Sequence, residues 1–368
     1  MIAEDAPPIP APAQRPPQQQ ALRPAQPPFP IGQPVLAPGE LKRLALTNRR
    51  GGRMTRYDVL TCPESDLVCL FVRSLKKAIY GEVWDALVVE LIEVCGQPRR
   101  FKVLKDETGR DRRLAVKRMP WDKINYYRRH LKEDPLQEIA ALSMMSDPGH
   151  PHVLRKVEAL DDGQTVYLLT PFVDGGELFD WIADNRGAPE SVVRPMFRQI
   201  VDGMRYMHQR GICHADMSLE NCLVDSDRTK AFIIDFGMCL AMPRNEEGRR
   251  YMSMPDQRKA KPSYCCPETF KGKEYDGVKV DVFAAGAMLF MMLTGFPPFE
   301  QATRLDPNFR QLVWNRDVQG LLRRLGARPV DQRAADLLRR MLAYKAGDRL
   351  LPEQVLVHEW MTGAPAGG

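Results

Sequence analysis

Five side chains of this 368-residue sequence have the types and the order needed to move a phosphoryl group: Lys117, Glu138, Asp216, Asn221 and Asp235. Such a reaction asks little covalent help of a protein. It needs a cradle for phosphates, a hard cation held between them, and a carboxylate that orients the attacking hydroxyl. Singly, each residue is a weak signal, since a lone strand lysine usually faces solvent and Asp-Phe-Gly usually marks a turn. Their joint order, continued by Glu268, Asp281 and Arg349, is what carries weight.

Over about residues 66–362 this set resembles the protein kinase family, and the resemblance implies a role for each position. Leu114-Ala115-Val116-Lys117 is similar to V-A-I-K, so Lys117 contacts the α- and β-phosphates of ATP and Glu138 holds its ammonium. His214-Ala215-Asp216, followed by Asn221, is similar to H-R-D-x-x-x-x-N. Asp216 then accepts or orients the substrate hydroxyl proton, and Asn221 binds a magnesium ion. Asp235-Phe236-Gly237 resembles D-F-G, with Asp235 as the main Mg2+ ligand. Cys266-Pro267-Glu268 stands where A-P-E closes the activation segment, with Arg349 as the partner of Glu268. The same correspondence puts Val83 and Ala115 over the adenine, Leu223 beneath it, Thr170 at the gatekeeper and Pro171-Phe172-Val173 at the hinge. The Val173 N–H and C=O face the purine, and only the carbonyl of Pro171 is needed. Gly81 belongs to the phosphate loop and Glu177 meets the ribose.

Four departures from the family pattern stand out. Aligned on Gly81-Glu82-Val83, the first two loop glycines become Lys76 and Ala78, although a backbone amide approaches phosphate most easily without a Cβ. Lys76 or Lys77 offers positive charge instead. Ala215 replaces the arginine that pairs with a phosphorylated activation segment, which makes the catalytic loop a non-RD one and disfavours that route of activation. Ser218 occupies the place of a lysine, and Lys261 the place of a threonine. In relatives those two side chains meet beside the catalytic carboxylate. Here they have exchanged chains, so that Lys261 supplies the ammonium and Ser218 the hydroxyl. Two unrelated losses in a decaying enzyme is the alternative.

In motif style the chain is nearest to the calmodulin-dependent kinase group, and Met217-Ser218-Leu219-Glu220-Asn221 suits a Ser/Thr enzyme. Glu177 and Glu220 match positions that read basic residues upstream of the phosphoacceptor, worth about 1–2 kcal/mol per pairing where partly buried. No basic autoinhibitory helix is expected after His358-Glu359-Trp360. The first reading is an ATP- and Mg2+-dependent protein serine/threonine kinase. A pseudokinase or scaffold that binds partners without transfer competes with it. A small-molecule kinase is disfavoured by Cys266-Pro267-Glu268 and the helix after it.

These residues need a particular frame. Residues 66–75 and 82–94 are rich in β-branched and aromatic side chains and flank Lys76-Lys77-Ala78-Ile79-Tyr80-Gly81. They read as a hairpin, with 112–119 as a third strand. Asp134-Pro135 opens a helix, aspartate as cap and proline at the first helical position. Two more strands follow, near 153–160 and 165–172; after Gly175-Gly176 the sequence turns mostly helical. The expected fold class is therefore α+β: a bilobal kinase fold with a small β-rich N-lobe and hinge at 66–173, carrying one main helix, and a larger α-helical C-lobe at 174–362. A disordered, proline-rich then basic tail is expected over 1–60, and a short tail over 363–368.

Composition limits the alternatives. Residues 1–40 hold 12 of the 31 prolines, with too little apolar surface to offset ordering entropy. Pro7-Pro8-Ile9-Pro10 and 24–27 fit a PxxP ligand for an SH3-type partner; an inert tail is the alternative. Of the net charge of +6, residues 1–60 carry +4, so the folded part is nearly neutral and a nucleic-acid-binding body is disfavoured. The run Lys42 to Arg56 suits either acidic lipid or plain solvation. Eight cysteines without C-x-x-C pairs suggest reduced thiols, with a redox pair at Cys265-Cys266 as the minority reading. No membrane span, signal core or myristoylation site is expected, so a cytoplasmic monomer follows as the expectation.

Overall fold

The computed structural model describes residues 34–48, 54–93, 99–130, 134–242, 261–270 and 276–363. The PxxP stretches and Cys95 lie outside the described residues. Nine strands form one sheet: β1 (Ala37–Pro38), β2 (Glu40–Asn48), β3 (Thr55–Cys62), β4 (Leu67–Ala78), β5 (Gly81–Ile92), β6 (Arg100–Val103), β7 (Arg113–Pro120), β8 (Glu158–Asp161) and β9 (Thr165–Pro171). Their order is β1-β8-β9-β7-β5-β4-β3-β2-β6, and β6 also pairs with β5. β2 to β6 therefore close into a ring, sealed by the parallel pairing of β2 with β6. Closure removes the free edges that an open sheet would expose.

This corrects the expected tail over residues 1–60, because β1, β2 and most of β3 already lie within it. The physical reason is a two-residue alternation hidden by the arginines. Leu46, Val59, Leu70, Val89 and Phe101 pack inside the ring, joined by Leu44 and Tyr57. Lys42, half exposed, pairs with Glu40 at 2.6 Å, and on the opposite, outer face Arg43 lies 3.7 Å from Asp58. Those two basic groups are thus answered within the sheet itself.

Among the described residues a second helix accompanies the expected main one between β7 and β8. α1 (Trp121–His130) buries only Ile124 fully, so its sequence carries no strong apolar stripe. α2 (Pro135–Met145) starts as expected, with the Asp134 carboxylate accepting from the Leu136 N–H at 2.9 Å.

The helical lobe contains α3 (Leu178–Asn185), α4 (Glu190–Gln209), the short α5 (Pro267–Phe270) and α6 (Gly277–Thr294), followed by further helices to Thr362. α4 places Val193, Met196, Phe197, Ile200, Val201, Met204 and Met207 on one buried face at helical spacing. α6 is apolar all round; among the described residues it is the helix long and apolar enough to cross a membrane. It is 94% buried inside the protein, the environment of a core helix.

Two small ladders sit under the sheet: β10 (Ile212–Cys213) pairs with β13 (Leu240–Ala241), and β11 (Cys222–Val224) with β12 (Ala231–Ile233). The chain runs from β10 through residues 214–221 to β11, and from β12 through 234–239 to β13. Both pairings therefore fix the loops bearing Asp216 and Asp235 against each other.

Candidate active site

Strand and helix bring the first pair together. Lys117, on β7, donates to the Glu138 carboxylate of α2 at 2.6 Å. Glu138 is buried, and that burial pushes its carboxyl up from the ordinary value, opposed by the Lys117 ammonium. α2 is tied to the Asp235 loop as well. The Asp134 N–H donates to the Gly237 carbonyl at 3.2 Å, the Gln137 amide donates to the Cys239 carbonyl, and the Phe236 N–H reaches Glu138. Phe236 itself is fully buried.

The loop of Asp216 hangs on a buried carboxylate. Asp281, on α6, accepts from the His214 N–H at 2.9 Å, the Ala215 N–H at 3.0 Å and His208 Nε2 at 2.8 Å. Burial raises its pKa, yet the bond and charge of His208, with the His214 contacts, hold it below the usual aspartate value. The His214 ring bridges the two loops, Nε2 to the Ile234 carbonyl at 3.0 Å while Nδ1 accepts from the Asp216 N–H at 3.3 Å. Ala215 and Asp235 both have φ near +60°, which side chains seldom adopt, and these donors hold them there.

Around Asp216 the side chains converge. The Asn221 amide NH2 donates to both the Asp216 carbonyl and its Oδ2 at 2.8 Å, which turns the amide oxygen away from Asp216. Burial pushes the Asp216 carboxyl up, against the charge of Lys261. Asp235 is held below its ordinary value: burial opposes this, but the Lys117 charge, with the Gly237 N–H bond, outweighs it. Lys261 donates to Ser218 Oγ at 2.9 Å and stands 3.8 Å from Asp216 Oδ2 and 4.0 Å from Glu220 Oε1. Tyr264 adds a contact with no signal in the sequence: its hydroxyl donates to Glu220 Oε2 at 2.9 Å and accepts from the Leu219 N–H at 3.4 Å.

The positions expected to meet a nucleotide group beside this cluster. Ala115 and Thr170 face each other across β7 and β9, and Val83 pairs with Lys117 across β5 and β7. The Thr170 hydroxyl reaches the Ala115 carbonyl at 3.5 Å. Leu223 bridges to Glu177, and Pro171 ends β9 just before Val173. Gly81 is packed: a Cβ there would fall 1.9 Å from the Arg118 carbonyl oxygen, so the β5–β7 contact itself requires glycine. A further contact escaped the sequence: Lys76 donates to Glu177 at 2.5 Å, joining β4 to the start of α3.

Beyond the cluster, Arg349 is buried and grips Glu268 with both nitrogens, at 2.5 and 2.7 Å. Cys265 and Cys266 are free thiols pushed up to about 11 and about 12, chiefly by burial. Thiols of that kind are poor nucleophiles, which disfavours the redox pair.

A cation has suitable donors here. Among the described residues no three His, Cys, Asp or Glu side chains converge as a cage. Magnesium needs none, since one or two protein oxygens and the phosphates complete its shell. The depressed carboxyl of Asp235 and the amide oxygen of Asn221 fit that demand.

Comparison with known proteins agrees in kind. The protein kinase domain family profile matches residues 99–361. A probable serine/threonine-protein kinase of Dictyostelium discoideum is 32% identical over 213 residues. That alignment covers 57% of this chain and 23% of the relative, so this chain spans only a fraction of that protein's length.

Proposed function

This chain belongs to the protein kinase domain family, and on that premise we propose that it transfers the γ-phosphate of ATP to serine or threonine of protein substrates, with magnesium. The observation that carries the reading is the Lys117–Glu138 contact closed at 2.6 Å beside the Asp216–Asn221 bond. A scaffold has no physical need of either. Asp235 and Asn221 would hold the magnesium, which neutralises phosphate charge when bound. Lys117 steadies the α- and β-phosphates, and Glu138 keeps its ammonium in place. Asp216 orients the substrate hydroxyl and takes its proton. The hydroxyl oxygen forms the new bond to the γ-phosphorus as the bond to the bridging oxygen breaks, and ADP leaves with that electron pair.

Basic residues upstream of the phosphoacceptor are proposed as a modest preference. Glu177 already carries Lys76, and Glu220 carries Tyr264 with Lys261 at 4.0 Å. A substrate arginine must displace these partners, so discrimination against alanine should be about threefold, the scale of a partly exposed ion pair. Lys76→Met frees Glu177 and should widen the ratio. Paired peptides with and without upstream arginine test this; a ratio unchanged by Lys76→Met would remove Glu177 from substrate reading. The kinase reading itself is tested by magnesium-dependent transfer to a Ser/Thr peptide mixture, wild type against Asp235→Ala. Equal signal from both would favour the scaffold.

A further inference from the structure

We propose that residues 261–264 are a working part of the catalytic site, delivering the Lys261 ammonium to the transferring phosphoryl group, and that their seating on the loop 216–220 switches transfer on. The inference rests on the kinase reading above and adds its regulation.

Three observations converge. Lys261 is far along the chain from Asp216, yet its ammonium lies 3.8 Å from that carboxylate, anchored on Ser218 Oγ at 2.9 Å. Ser218 is fully buried, so its hydroxyl presents a fixed acceptor. Tyr264, three residues on, clamps the same loop through Glu220 and the Leu219 N–H. A cation held beside the carboxylate that orients the attacking oxygen is placed to offset charge spreading over the phosphoryl oxygens. It costs little reorganisation once seated.

The consequence follows from which segment carries it. A cation built into the loop 214–221 would be present whatever the rest of the chain did. Carried on residue 261, it is present only while 261–264 is docked. Position 215 is alanine, with no guanidinium to read a phosphate, and its N–H is committed to Asp281. Docking of the segment through Ser218, Glu220 and the Leu219 amide therefore takes the place of a phosphate-read latch. Here Lys261 is a catalytic residue, and Ser218 and Tyr264 are positioning residues.

The test uses the full chain and reads kcat, KM for peptide, ATP binding and the melting temperature together. Lys261→Met should lower kcat about 100-fold while ATP affinity stays within about twofold, the signature of a group acting in the transition state. Lys261→Arg, which keeps the charge, should retain more activity than Lys261→Met. Tyr264→Phe should lower kcat without moving ATP affinity. Ser218→Lys combined with Lys261→Thr returns the ammonium from the other chain and should exceed either single variant about tenfold. Phosphatase treatment of the wild type should leave its rate unchanged. A Lys261→Met enzyme as fast as wild type would overturn the proposal. So would a double variant no faster than its singles with the melting temperature kept, or a rate abolished by phosphatase. Ser218 is buried and its lysine variant must displace packed neighbours, so Lys261→Met against Lys261→Arg decides the matter where the double variant melts early. If instead wild type transfers nothing, the kinase reading has failed and this inference with it.

Discussion

Asp216→Asn is expected to lower kcat about 10³-fold, within the range by which a positioned general base accelerates proton transfer. The substitution keeps the shape of the side chain and removes only its charge and basicity. Asn221 can still donate to the oxygen of the new amide and to the Asp216 backbone carbonyl, each now at 2.8 Å. The fold should therefore survive, and ATP binding should change little, because Lys117, Val83 and Leu223 are untouched. Single-turnover kinetics beside an equilibrium nucleotide titration separate the two effects. A variant that transfers at the wild-type rate would show that Asp216 plays no part in the chemistry.

Asp281→Ala is expected to cost about 3–5 kcal/mol of stability, since it leaves three buried donors without their charged acceptor. Those donors are the His214 and Ala215 N–H groups and His208 Nε2. The effect reaches function because the first two belong to the loop that places Asp216. Transfer should fall even at temperatures where the variant stays folded. The pH dependence has a definite sign. The Asp281 pKa is depressed in the fold, so its contribution is present above the unfolded aspartate value and lost as pH falls through the folded one. Against an Asp281→Asn variant, the stability gap carried by this carboxylate should be full at about pH 5, above the unfolded aspartate value, and narrow as pH falls below it. Urea unfolding across that range checks it; a gap that widens in acid would contradict the assignment.

Much of the candidate site was legible because its chemistry restricts residue type. The resemblance to family motifs marks Lys117, Asp216, Asn221 and Asp235 in order, and each has the ammonium or oxygen that its expected role asks for. That Ser218 and Lys261 should meet was also readable, since both positions depart together from the family pattern, and their side chains lie 2.9 Å apart. The contacts that escaped are set by how separate segments meet. Lys76 and Glu177 are 101 residues apart and touch only because the β4 hairpin leans over α3. Tyr264 reaches Glu220 across 44 residues, with nothing local to mark it. In the fold, β2 and β3 were obscured by outward arginines, and the ring closes through a parallel β2–β6 pairing that no local pattern encodes. α1 was missed because Ile124 alone is fully buried along it. Gly81 read as a phosphate-loop glycine, whereas its close approach to the Arg118 carbonyl gives it a packing reason of its own.

The most direct measurement is transfer of labelled γ-phosphate from ATP to a mixed Ser/Thr/Tyr peptide pool, followed by phosphoamino-acid analysis. Label on serine and threonine, dependent on magnesium and lost in Asp235→Ala, is the expected result. Label absent from the wild type, or equal in Asp235→Ala, would contradict the assignment of this cluster as a phosphotransfer site.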